Sequence, residues 1–161
     1  MKKLFGHRSL FVVAIASIAL LAVALSACGD DSKDDTANSK SAQNADAISA
    51  IDIIDKAGLH DIDTSISTDG KVPATAQTTA THLQAVALLT DWPTQQLKDD
   101  AKKLADVFGT LADSLNSSTP DLKKAGEAAH NAHEAQHDFS KEVWTYLQGE
   151  AGIKAGATAT D

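Results

Sequence analysis

Leu97, Ala101, Leu104, Phe108, Leu111 and Leu115 follow one another at spacings of four, three, four, three and four. That is the 3.6-residue period of a helix with one apolar face, and an alternating strand cannot produce it. A helix carrying such a stripe is marginal alone in water and needs other helices to cover it. The rest of the chain supplies them. Residues 46–57 are expected to form a first, shorter helix capped by Asn44 or Asp46, with Ile48, Ile51 and Ile54 inward and Gly58 as its stop. The connection 59–72 reads as a polar loop with room for a turn of 3₁₀ helix, and Asp69-Gly70 is a turn signal. A second helix is expected from Pro73 to about Thr90, burying Ala80, Leu83, Val86, Ala87 and Leu89. After the break at Trp92-Pro93, Thr94 caps the helix that carries the opening stripe.

Ser118, Thr119 and Pro120 restart the chain. A last helix then runs from Pro120 to about Gln148, with Leu122, Ala125, Ala129, Ala132, Gln136, Phe139, Val143 and Leu147 inward and Gly149 as its stop. Short links make neighbours antiparallel, so the expected fold is all-α: an antiparallel up-down helical bundle of three long helices plus one shorter N-terminal helix. The bundle domain covers residues 46–148. Residues 28–45, poor in large apolar side chains and rich in Asp, Ser, Lys and Asn, read as a solvated tether. Residues 149–161 read as a flexible tail.

Residues 1–27 have a different character. Lys2, Lys3 and Arg8 precede an apolar run from Leu10 to Leu25, and the run ends in Leu25-Ser26-Ala27-Cys28. This arrangement resembles the lipobox signal peptide of bacterial lipoproteins, cut before a cysteine that becomes lipid-modified. Residues 10–27 are free of charge and just long enough to span a bilayer as an anchor, but an anchor has no need of the small-small-Cys ending. The resemblance implies a diacylated Cys28 at the start of the mature chain, stable attachment to a bacterial cell or outer membrane, and a domain facing an extracytoplasmic space.

Cleavage there removes three cations, taking the net charge from -8 to -11. Such a chain is not a nucleic-acid binder, and it favours cations. Cys28 is the one cysteine in the chain, which excludes an internal disulfide, thiolate zinc site, iron-sulfur cluster, catalytic thiol or c-type haem. The one methionine is Met1, so His/Met haem ligation is excluded too.

Any site must therefore use His, Asp, Glu or hydroxyls. With about 1.5 Å of rise per residue measured from the turn at residues 91–94, His82 lies about 13 Å up the second helix; His133, His130 and His137 lie at about 15, 19 and 9 Å on the last helix. Trp144 is expected level with Trp92. Residues 130, 133 and 137 fall within about 60° on that helix. His133 and His137 have the i, i+4 spacing by which one helix offers two imidazoles to a metal. His82 is the expected third ligand, with His130 an alternative to His137. The competing reading is a solvated, ion-paired face, given Glu127, Glu134, Asp138 and Glu142 among these histidines.

His133-Glu134-Ala135-Gln136-His137 also resembles the HExxH zinc helix of metallopeptidases, in which both histidines bind zinc and the glutamate activates water. The resemblance covers five residues and lacks that family's third ligand. Glu134-x-x-His137 is half of a di-iron signature without its other half. His60-Asp61-Ile62-Asp63 has carboxylates for a hard cation but no EF-hand spacing, and reads as a turn cap.

Two functions follow. The first is a tethered, non-enzymatic lipoprotein that binds zinc, copper or nickel for storage, delivery or sensing. The second is an interaction or structural module without a small ligand, contacting an envelope protein.

Overall fold

The computed structural model of the protein describes residues 34–153, with side chains from residue 39 onward. The leader and Cys28 lie outside the described residues, as does most of the expected tail. Five helices follow one another: α1 (Asp34–Asp55), α2 (Leu59–Ser67), α3 (Ala76–Leu89), α4 (Gln95–Leu115) and α5 (Leu122–Glu150). No strand occurs among the described residues, and none of their helices is long and apolar enough to cross a membrane.

Local chemistry sets most of the boundaries. Thr94 Oγ1 accepts from the Leu97 N–H at 3.1 Å, satisfying a donor that the first turn of α4 leaves open. Asp121 does the same for α5, accepting from the N–H groups of Lys123 and Lys124. The carboxylate cap moves the start of α5 two positions beyond Pro120. At the other end α5 continues through Gly149, and the stop is Gly152 at φ 70°. There Gly152 N–H donates to Gly149 O at 3.1 Å and Ile153 N–H to Gln148 O at 2.9 Å, the paired bonds of a glycine-ended helix. Likewise α3 starts at Ala76 instead of Pro73, whose carbonyl accepts from the Ala76 N–H at 3.0 Å.

Two expectations fail at the N-terminal side. The first helix starts at Asp34, well inside the segment expected to be a tether, and its side chains make tertiary bonds from Lys40 onward. The expected loop after Gly58 is instead helix α2, whose Leu59, Ile62 and Ile66 are buried. Gly58 takes φ 73°, a left-handed conformation that turns the chain between α1 and α2 without the steric cost a Cβ would carry.

The core is continuous across all five helices. Every residue of the α4 stripe is buried, and so is every expected inward residue of α5 except Leu122, which is 44% exposed. On α1, Ile51 and Ile54 are fully buried, while Ile48 is exposed and Ala47 and Ala50 take the inner positions. On α3, Leu89 is 84% exposed, because the helix ends there and the chain turns into Trp92.

Helix α4 packs against both α3 and α5, α5 also packs against α2 and α1, and α1 reaches α3. A series of bonds records the path of α1 and α2 along α5. Lys40 pairs with Glu150 at 2.7 Å, and the Tyr146 hydroxyl donates to Asn44 at 3.3 Å. Asp55 accepts from Ser140 Oγ and, at 3.1 Å, from Gln136 Nε2. Ser67 abuts Gly126, where a Cβ would stand 3.2 Å from Ser67 Oγ. Residue numbers thus rise along α1 and α2 as they fall along α5.

The expected pairing of Trp92 with Trp144 is not found. Trp92 is buried edge-on against Phe139, with centroids 4.9 Å apart, and Trp144 is 40% exposed. The indole N–H donates to Ala87 O at 2.9 Å, which ties the ring to the end of α3.

Candidate functional site

Helix α2 lies against the face of α5 that carries the histidines. With Leu59, Ile62 and Ile66 turned into the core, His60 and Asp63, three residues apart, share the flank that meets α5. Asp63 is the hub. Its Oδ1 accepts from Ser67 Oγ at 2.9 Å, and its Oδ2 lies 3.3 Å from Nδ1 of both His130 and His133. The carboxylate and the His133 ring are largely covered, at 14% and 12% side-chain exposure, whereas the His130 ring is 62% exposed.

This setting acts on the carboxyl in two directions. Burial pushes Asp63 up, but hydrogen bonds from Ser67, His130 and His133 outweigh it and hold the group below the usual carboxylate range. An ionised carboxylate only accepts, so each facing Nδ1 carries its hydrogen. In a neutral ring that leaves the lone pair on Nε2. The Nε2 of His133 then faces the Nε2 of His137 at 2.9 Å, with ring centroids 4.6 Å apart. His60 joins the cluster from α2, its ring standing 5.0 Å from that of His133 at an interplanar angle of 65°.

The arrangement of carboxylate, histidine Nδ1–H and outward Nε2 is the one by which a carboxylate behind the ring orients a metal-binding imidazole. Two nitrogens about 2.05 Å from one ion and 2.9 Å apart would subtend about 90° there, an angle of square-planar or octahedral sites; a tetrahedral angle needs about 3.3 Å. Among the described residues, no three His, Cys, Asp or Glu side chains are grouped so that they could hold a metal ion as they stand.

The structure therefore brings His130, His133 and His137 together with His60 and Asp63, and leaves His82 elsewhere. His82 lines a groove of about 500 Å³ between α3 and α1, with Asp46, Ser49, Ala50, Ile53, Val86 and Leu89 among its walls. The axial ruler measured height but not direction around the bundle. Because α1 packs on both α5 and α3, it stands beside His82 where the expectation had placed a helix α5 histidine.

By sequence alone His60 and Asp63 read as parts of a turn. The signal that identifies them is the i, i+3, i+7 series Leu59, Ile62 and Ile66, obscured by a segment rich in Asp, Thr and Ser. Glu134, the glutamate of the HExxH letters, is exposed. No protein-family model, curated protein or solved structure matches this chain.

Proposed function

We propose that this chain is a membrane-tethered, extracytoplasmic lipoprotein whose helical bundle binds a divalent transition metal, zinc, copper or nickel, for storage, delivery or sensing rather than catalysis. The supporting observation is the facing pair His133 Nε2 and His137 Nε2, with Asp63 on the far nitrogen of His133. His130, held by the same carboxylate, is the neighbouring donor. The pair replaces His82 as the centre of the site, since His82 faces α1. The reading takes the helices as an antiparallel up-down bundle in which α1 and α2 together fill the fourth position; the opposed numbering of the bonds from Lys40–Glu150 to Asp63–His133 supports it.

The tether rests on Leu25-Ser26-Ala27-Cys28 and the charged, apolar and small segments before it. Metabolic labelling with palmitate, in the parent and in Cys28→Ser, tests it: the parent incorporates label and partitions with detergent, and the variant does neither. Equal labelling of both would remove the anchor from the proposal. Metal binding is tested by elemental analysis of the untagged full chain after exposure to zinc, copper or nickel and dialysis. About one equivalent retained by the parent and lost in His133→Ala is the expected result; no retained metal would sink the reading.

One observation favours the alternative of an interaction module. Ile53 and Leu89 are exposed in the groove between α1 and α3, and exposed apolar groups gathered on one face commonly mark contact surfaces. An envelope protein seated there would be lost in Leu89→Glu while metal retention stayed unchanged.

A further inference from the structure

Helix α2 contributes more than the orienting carboxylate. Consider the spacing that a shared ion imposes on imidazole rings. A ring bound through Nε2 at about 2.05 Å has its centroid about 3.2 Å from the ion, so two such rings stand about 4.5 Å apart across a right angle and about 5.2 Å apart across a tetrahedral one. The His133 and His137 centroids are 4.6 Å apart, and those of His60 and His133 are 5.0 Å apart. Both distances fall inside that interval. The His133 ring thus stands from each of its two neighbours at the spacing of rings that share an ion, although the three side chains are not grouped to hold one as they stand.

His60 has the freedom to make that turn. It is exposed in the first turn of α2, next to Leu59, whose burial fixes the backbone beneath it. Rotation of an exposed side chain about χ1 and χ2 is fast and costs little. His133, by contrast, is largely covered and held at Nδ1, so it keeps its place while the neighbouring rings adjust.

We infer that His60 is the third ligand of a metal ion bound by His133 and His137, so that the ion joins α2 to α5. Asp63 is a positioning residue for this site: it fixes the ring of His133 from the far side and touches no ion. This inference rests on the metal reading above and adds to it a ligand from α2. The ligand chemistry is three neutral imidazoles plus water, suited to Cu²⁺, Ni²⁺ or Zn²⁺ and unsuited to Mg²⁺ or Ca²⁺, which take oxygen donors.

The test uses the full chain in detergent, loaded with one equivalent of Cu²⁺, and reads electron paramagnetic resonance together with affinity by competition against a chelator. The parent is expected to display nitrogen couplings from three imidazoles. His60→Ala, an exposed position whose loss leaves the core intact, is expected to display two and to bind at least about tenfold more weakly. Asp63→Asn is expected to keep all three couplings and lose about ten- to a hundredfold in affinity, the range found for outer-shell partners. A His60→Ala spectrum and affinity equal to the parent, with binding still lost in His133→Ala, would overturn the role of His60 and leave the metal site standing. Absence of Cu²⁺ binding by the parent would overturn both.

Discussion

At the scale of single residues, two carboxyls behave in opposite ways, and each gives a pH-dependent expectation. Burial and then the Asp100 carboxylate hold Glu142 above its usual value, while a hydrogen bond from Lys103 holds Asp100 below. The folded state therefore binds the Glu142 proton more tightly than the unfolded chain does. Stability falls as pH rises from about 4.3, the ordinary glutamate value, through the raised one. Glu142→Gln removes that penalty: urea unfolding should find it more stable than the parent at pH 7, by less than about 1 kcal/mol for a partly exposed group, and no different below pH 4. A gain that did not vary with pH would refute this cause. Asp63 is depressed, so its contribution is present above the unfolded value of about 3.9 and is lost as pH falls through the folded one. Asp63→Asn should cost about 1 kcal/mol at neutral pH, with the difference narrowing on acidification.

At the scale of elements, α2 is the informative one. It is short, and its hold on α5 depends on three apolar side chains, the bonds of Asp63 and the close approach at Gly126. A Cβ at residue 126 would stand 3.2 Å from Ser67 Oγ and 3.7 Å from Ser67 Cα. Gly126→Val should therefore push the end of α2 outward, and amide exchange should quicken in residues 59–67 before it does in α4. Gly58→Ala strains the left-handed link that aims α2 and should cost about 1–2 kcal/mol in equilibrium unfolding. Helix α4 is of another kind. Its stripe was legible residue by residue, because 3.6-residue periodicity and a Thr cap are local properties that packing here only reinforced. The helix character of 59–67 was less legible, since Asp, Thr and Ser compete for backbone hydrogen bonds and favour turns until burial of Leu59, Ile62 and Ile66 overrides them.

At the scale of the whole molecule, Phe108 lies fully buried in a core that all five helices share. Phe108→Ala should lower unfolding free energy by about 3–5 kcal/mol in one cooperative transition. Metal held by His60, His133 and His137 would stabilise the folded chain by about 2.7 kcal/mol at a hundredfold excess over its dissociation constant. Spacing, caps and composition already determined the helices α3, α4 and α5, their buried faces apart from Leu89 and Leu122 at the helix ends, and the adjacency of the three α5 histidines on one flank, because these depend on residues within a few positions of one another. Direction around the bundle was decided by the tertiary structure alone. Periodicity states that a face is covered but not by which neighbour, so α1 came to stand beside His82 and α2 brought His60 and Asp63 to His133. Those partners are some seventy residues apart in the chain, and only the packing of α1, α2 and α5 against a common core makes them neighbours.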